Sequence, residues 1–339
     1  MKSGIIATTI ALGLATATHA SPLTNIFTSY YAFGDSLSDN GKVGPGVLSA
    51  PSLDGRFSNG KVWTEILADD FEAAGNDNQN YAIGGATAGP VDTPRTPIST
   101  FAGQIQAFSA NLFLDTAVPP FFDAIEPGSN PLASVWFGAN DLFNTLEGET
   151  RLEDARRAAN LLTQQVAGIA TATRGLFDDF IIPNLPNLGL TPSYALFDTA
   201  NQENATNATL AFNAQLKSNI ADLRNAGLNI YTIDTLGLFD AVLNDPLGPE
   251  GIYDFANVTL PCTISFASDI GTNCVTDGGL TLGQVDSFLF ADAVHPTAAT
   301  HRILAEQAQA AVVPLPASAF LLLTGFGLIG VVAKRRRAA

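Results

Sequence analysis

The chain has 339 residues, with 16 basic and 32 acidic side chains and a formal net charge of −16. Residues 1–20 and 313–339 hold five of the bases and none of the acids, so the segment between them stands at −21. Such a surface repels nucleic acid and anionic lipid headgroups, and no basic patch in the interior offsets it.

Lys2 opens the chain, an apolar run at 5–14 follows that is too short to span a bilayer, and Thr18-His19-Ala20 puts small residues where a signal peptidase reads. This predicts a secretory signal peptide over 1–20, cleaved after Ala20. The next 292 residues, 21–312, carry no repeat and no long linker, and suit one α/β domain. Short apolar runs predict strands at 30–33, 80–83, 134–137, 180–182 and 228–233. Helical periodicity lies between and after them, at 61–71, 151–171, 209–225 (stopped by Gly227) and 296–312 (opened by Pro296). Strand–helix alternation argues for a parallel sheet with helices on both faces. Residues 240–283 are rich in Gly, Asp and Asn and read as a long loop, one wall of a substrate cleft. Cys262 and Cys274 lie in it, and an even cysteine count in an exported chain predicts a disulfide. No Cys/His set has the spacing of a zinc site. The three Asn-x-Thr sequons, at Asn204, Asn207 and Asn257, read as chance in an Asn/Thr-rich loop.

The C-terminus carries Val313-Pro314-Leu315-Pro316-Ala317-Ser318, then an apolar stretch to Ala333, then Lys334-Arg335-Arg336-Arg337. The apolar segment is near the lower limit for a spanning helix, and the basic cluster would keep its end cytoplasmic. This tail, 313–339, resembles the PEP-CTERM sorting tails of Gram-negative bacteria. The resemblance implies an exported protein of the periplasm, cell surface or extracellular matrix, transiently anchored through the tail and handled by an exosortase-type enzyme. A permanent anchor is the alternative.

Two stretches far apart carry the chemistry. Phe33-Gly34-Asp35-Ser36-Leu37-Ser38-Asp39-Asn40-Gly41 sets a serine in a tight turn straight after an apolar run, and Asp292-Ala293-Val294-His295-Pro296-Thr297 supplies an Asp and a His three positions apart. A hydroxyl nucleophile, a base and a carboxylate to orient the base are the parts of an acyl-transfer site. Of the three histidines, His19 leaves with the signal peptide, and His301 falls inside the last helix at the wrong spacing from Asp292. In open α/β sheets ligands collect at the carboxyl ends of the strands. Each block sits just after a predicted strand or opens a helix, which puts Ser36, Gly85, Asn140 and His295 on one sheet edge.

Gly34-Asp35-Ser36-Leu37, Asn80-Tyr81-Ala82-Ile83-Gly84-Gly85-Ala86-Thr87, Trp136-Phe137-Gly138-Ala139-Asn140-Asp141 and Asp292-Ala293-Val294-His295-Pro296 resemble, in order, four blocks of the SGNH/GDSL hydrolases. The resemblance implies a flavodoxin-like three-layer α/β/α fold with strand order 2-1-3-4-5. It implies Ser36 as nucleophile, His295 as base and then acid, and Asp292 as the group that orients it. The oxyanion donors it implies are the Ser36 N–H, the Gly85 N–H and the Asn140 amide, with Gly84 the neighbouring candidate. Asp35 and Asp141 are expected to fix the two loops through local backbone. Residues 185–192 resemble a loop of the lipase and haemolysin branch, whose leucines either line an acyl pocket or cover the sheet. Ala291 stands where many relatives carry Trp, and a smaller residue there is expected to widen the cleft. The expected activity is that of an exported serine esterase or lipase. The alternatives are a deacetylase of extracellular polysaccharide with the same residues, and a non-catalytic scaffold, against which the intact residue set argues. The expected partners are an ester substrate, signal peptidase and the sorting enzyme; the chemistry calls for no metal or organic cofactor.

Overall fold

Strands β1 (Ser29–Gly34), β2 (Asn78–Asn80), β3 (Pro131–Trp136), β4 (Asp179–Pro183) and β5 (Asn229–Ile233) form one parallel sheet in the order β2-β1-β3-β4-β5. The computed structural model describes residues 22–91, 95–113, 124–144, 151–265 and 273–313, all within the unit Pro22–Pro314. The helices are α1 (Trp63–Ala74), α2 (Phe101–Phe113), α3 (Ala139–Phe143), α4 (Arg151–Ala172), α5 (Gln202–Asn225), α6 (Thr235–Leu243), α7 (Leu282–Val285) and α8 (Ala298–Val312).

Every residue of β1, β3 and β4 is buried, as expected for parallel strands covered on both faces. Period-two alternation along β1 sends its rings to opposite layers. Tyr30 stacks on Phe71 of α1, while Tyr31 and Phe33 meet Phe108 of α2. Helices α1 and α8 pack together on one side. On the other, α4 lies along α5, its small Ala155, Ala158 and Ala159 buried, and Asn219 of α5 donates to Asn160 and Thr163 of α4. Because β1 has β2 on one side and β3 on the other, the order in which strands are laid across the sheet reverses at β1, although all run parallel. The crevice at the carboxyl ends of β1 and β3 is therefore the topological switch point, where such sheets bind ligands.

Several boundaries differ from expectation. The β2 ladder uses the polar Asn78-Gln79-Asn80 rather than 80–83, as suits a sheet edge, and beyond it only Tyr81 and Ile83 still donate to β1, to Ala32 and Gly34 at 2.7 and 3.2 Å. Helix α5 starts at Gln202, seven residues early, because Ala205, Ala208 and Thr209 form a buried stripe through an Asn/Thr-rich stretch of weak helix propensity. The loop predicted from residue 240 begins inside α6, which Asp234 caps by accepting from the Gly237 N–H. Asn204 and Asn207 are helical. The disulfide Cys262–Cys274 is formed. Among the described residues no helix is long and apolar enough to cross a membrane. The expected signal peptide, 1–20, and the expected sorting tail beyond Val313 lie outside them.

Candidate active site

The serine turn is anchored at the end of β1. A Cβ on Gly34 would stand 2.8 Å from the Ser38 side chain, so glycine lets the chain fold back there. The buried Gln104 of α2 clamps this strand end, accepting from the Gly34 N–H at 3.0 Å and donating to the Gly34 carbonyl at 2.8 Å. Asp35 closes the turn, its carbonyl accepting from Ser38 and its carboxylate from the Leu37 N–H, both at 3.0 Å. Ser36 is left at the lip of the crevice, 8% exposed.

The last block is a turn that reverses on itself. Ala291 N–H donates to the His295 carbonyl, and Asp292 Oδ1 accepts from the N–H groups of Val294 and His295 at 2.8 and 2.6 Å. Both Asp292 oxygens lie 2.9 Å from His295 Nδ1, and His295 Nε2 lies 2.8 Å from Ser36 Oγ. Residues 36, 292 and 295 thus form one continuous hydrogen-bonded line between segments 259 positions apart. The Phe57 ring lies against the imidazole, centroids 5.0 Å apart. The disulfide-bearing segment supports the turn from behind: the N–H groups of Cys262 and Thr263 donate to the carbonyls of Phe290 and Ala291. The loop therefore braces the histidine turn, and none of its described residues beyond α6 lines the cavity at Ser36. Ala291 is fully buried and lines no part of that cavity, so its small size does not widen it.

The glycine block is tied to the serine loop by Asp39, which is fully buried. Its Oδ1 accepts from the N–H groups of Gly41 and Lys42, and its Oδ2 from Gly84 at 2.8 Å. The Gly84 N–H is thereby occupied. Gly85, at φ +80°, makes no hydrogen bond through its N–H among the described residues, and its backbone conformation favours glycine. A Cβ at Gly84 would stand 2.3 Å from the Phe57 ring. Asn140 opens α3 directly after β3; its amide donates to the Ala86 carbonyl at 3.0 Å and to Asp35 Oδ2 at a longer 3.3 Å. Asp141 accepts from the N–H groups of Ala88 and Gly89, both at 2.8 Å, fixing the glycine block from its far side.

Burial pushes the Asp35 carboxyl up to about 7, opposed by the Leu37 N–H and the nearby imidazole. Burial also raises Asp141 against its two backbone donors. His301 sits apart from the Asp292 carboxylate, fully buried in α8; its Nδ1 accepts from the Trp63 N–H at 3.4 Å, and burial pushes it down to about 3.

A cavity of about 160 Å³ opens at Ser36 and His295, with Trp136, Phe143, Leu188 and Phe239 among its apolar walls. Leu188 lines the cavity, whereas Leu185 is buried and does not line it. A serine hydroxyl hydrogen-bonded to an imidazole that a carboxylate orients, at the mouth of a partly apolar recess, is equipped for acyl transfer. Gln104, Phe57, Asp39 and the Cys262–Thr263 brace were not anticipated. Phe57 and Gln104 lie outside the blocks, and the Asp39–Gly84 tie spans 45 positions.

The description "GDSL-like Lipase/Acylhydrolase" matches residues 30–308. The thermolabile hemolysin of Vibrio parahaemolyticus is 27% identical over 290 residues, which are 81% of this chain and 62% of the hemolysin. The chain thus spans less than two thirds of that relative's length. The phosphatidylcholine-sterol acyltransferase of Aeromonas hydrophila is 28% identical over 326 residues, 83% of this chain and 89% of the acyltransferase. Among solved structures, a single-residue variant of an acetyl xylan esterase from Geobacillus stearothermophilus superposes with a TM-score of 0.43 at 14% identity, covering 85% of this chain and 94% of its own.

Proposed function

The chain belongs to the GDSL-like lipase/acylhydrolase family, and we propose that it is a carboxylic ester hydrolase that works through an acyl-enzyme on Ser36. Ser36 Oγ attacks the ester carbonyl carbon as His295 Nε2 takes its proton. Asp292 holds the imidazole in the tautomer that presents a bare Nε2, and stabilises the imidazolium. The tetrahedral oxyanion is met by the N–H groups of Ser36 and Gly85 and by the Asn140 amide, which gives up its longer bond to Asp35. The imidazolium then protonates the leaving alkoxide as the carbon–oxygen bond breaks. Water, deprotonated by His295, attacks the acyl-enzyme; collapse of the second intermediate releases the acid and restores the Ser36 hydroxyl.

The observation that carries this reading is the pair of distances, 2.8 Å from Ser36 Oγ to His295 Nε2 and 2.9 Å from Nδ1 to the Asp292 carboxylate. The cavity supports a short acyl group. At about 160 Å³ it matches the roughly 150 Å³ that accommodates benzene in an engineered core, or about five or six heavy atoms. A short acyl group also keeps the second reading in play, removal of acetyl groups from an extracellular polysaccharide. Export is supported by the character of residues 1–20 and by the disulfide. Signal peptidase and an exosortase-type enzyme, acting on the two ends, belong to this proposal.

The test is hydrolysis of p-nitrophenyl acetate, butyrate and palmitate by the protein and its Ser36→Ala variant. Turnover should favour the two short esters and disappear in the variant. Equal activity in both folded proteins would overturn the assignment.

A further inference from the structure

A second hollow, of about 360 Å³, adjoins the first. The two have three walls in common: Thr191, Phe239 and Phe290. Phe239 projects from α6 and Phe290 immediately precedes the Ala291–His295 turn; their ring centroids are 6.2 Å apart and both side chains are buried. The rings therefore form a partition with a hollow on either side. Beyond it Leu190, Leu236 and Leu243 supply apolar wall, and the exposed Asp234 and Asp240 stand with Asn187 at the margin. These polar groups have partners of their own: Asn187 Oδ1 accepts from Gly189 N–H and Thr206 Oγ1, Asp234 Oδ1 from Gly237 N–H and Asn184 Nδ2, and Asp240 Oδ1 from Asn244 Nδ2 at 3.3 Å, while Thr191 Oγ1 donates to the Leu188 carbonyl.

The two halves of an ester make different demands on such a site. The alcohol takes a proton from His295 and must leave before water can enter. The acyl half stays bonded to Ser36 through the second step, and an apolar recess bounded by Trp136, Phe143, Leu188 and Phe239 suits it. We propose that Phe239 sets the upper limit on acyl length, and that the outer hollow is a latent continuation of the acyl site, closed by this ring. At roughly 30 Å³ per heavy atom, the volume one water takes in the liquid, the outer hollow would admit about twelve more atoms. The enzyme as it stands is then selective for short acyl groups, while one side chain separates it from a long-chain lipase. This assignment rests on the acyl-transfer reading of Ser36.

The test is kcat/KM for p-nitrophenyl acetate and dodecanoate, measured on the full chain and on Phe239→Ala, with circular dichroism to verify folding. The expected result is a rise of tenfold or more in the dodecanoate-to-acetate ratio. Phe239→Leu, a milder change that keeps the core filled, should raise it less but in the same direction. Adding Leu236→Trp to Phe239→Ala, which refills the outer hollow from its far wall, should bring the ratio back down. An unchanged ratio in both folded Phe239 variants would overturn the proposal. So would a gain that follows the alcohol, seen as faster cleavage of dodecyl acetate over ethyl acetate with no change across the acyl series. Absence of hydrolysis in the wild type as well would count against the acyl-transfer reading itself, and would remove this assignment with it.

Discussion

Replacing Asp292 by Asn separates the steering of His295 from the folding of its turn. Asp292 Oδ1 accepts two backbone N–H groups, at 2.8 and 2.6 Å, and an Asn oxygen in that position keeps both. The amide nitrogen must then occupy the Oδ2 position, 2.9 Å from His295 Nδ1, beside an oxygen at the same distance that already serves two backbone donors. A donor there favours the tautomer with a bare Nδ1 and a protonated Nε2, which cannot take the Ser36 proton. In serine hydrolases with a Ser-His-Asp triad, this wrong tautomer lowers kcat by about 10⁴, some 5 kcal/mol of transition-state stabilisation at about 1.36 per tenfold. Asp292→Ala also abolishes the steering but strips two backbone donors of their acceptor, at about 1–3 kcal/mol for each one left unpaired. The expected outcome is two variants with similarly low kcat, of which only the alanine form is markedly less stable. The assays are kcat on p-nitrophenyl acetate and thermal melting of both proteins. An Asn variant that keeps more than a tenth of the wild-type kcat would refute the tautomer argument, and equal melting temperatures would refute the structural role given to Oδ1.

Asn140→Ala should lower kcat by about 10²–10³ and leave KM nearly unchanged, the effect of losing one oxyanion donor; a change in KM alone would count against that role. Serine at both Cys262 and Cys274 should reduce the unfolding free energy by about 3 kcal/mol, for a sequence separation of 12. It should also lower kcat at temperatures where the variant is folded, because Cys262 and Thr263 brace residues 290 and 291; unaltered kcat there would show the brace to be dispensable. Asp35 has its folded pKa raised from 3.8 to about 7, so the stability contributed by its neutral form is present below about pH 4 and lost as pH rises through 7. Melting of Asp35→Asn relative to wild type should therefore improve from about pH 4 to about pH 7 and level off above it, and a constant difference across that window would contradict the burial argument. His301, lowered from 6.5 to about 3, has the opposite sign: its contribution is present above pH 6.5 and lost as pH falls towards 3. His301→Gln should flatten the stability profile over that window, measured by urea unfolding at each pH.

The nucleophile strand and the residues after it were legible because β1 is a continuous apolar run that ends in Gly-Asp-Ser, and strand order followed from the resemblance those blocks carry. Asn140 and His295 stood out in a similar way: Asn140 follows a short apolar run, and His295 stands just before the helix-opening Pro296. Helix α2 was less legible: Phe101, Ile105, Phe108 and Leu112 recur at helical spacing, but the face it buries also carries Gly103 and Gln104, residue types that give no core signal, and so the role of Gln104 was hidden. The first turns of α5 were hidden by composition. There the tertiary environment overrides propensity: Thr206 donates to Asn187, and further along the helix Asn213 pairs with both backbone groups of Leu185. Phe57 lies in a loop of Gly, Ser and Asp whose local sequence gives no hint that its ring will meet His295. The choice between Gly84 and Gly85 needed the Asp39 carboxylate, whose distance in sequence conceals a contact of 2.8 Å.

The central claim is that Ser36 forms the covalent intermediate. The most direct measurement is the peptide mass map of the protein after reaction with a serine-directed fluorophosphonate. One adduct is expected, on the peptide that contains Ser36, abolished in Ser36→Ala and strongly slowed in His295→Ala. An adduct on another residue such as Ser38, or labelling that persists in Ser36→Ala, would contradict it.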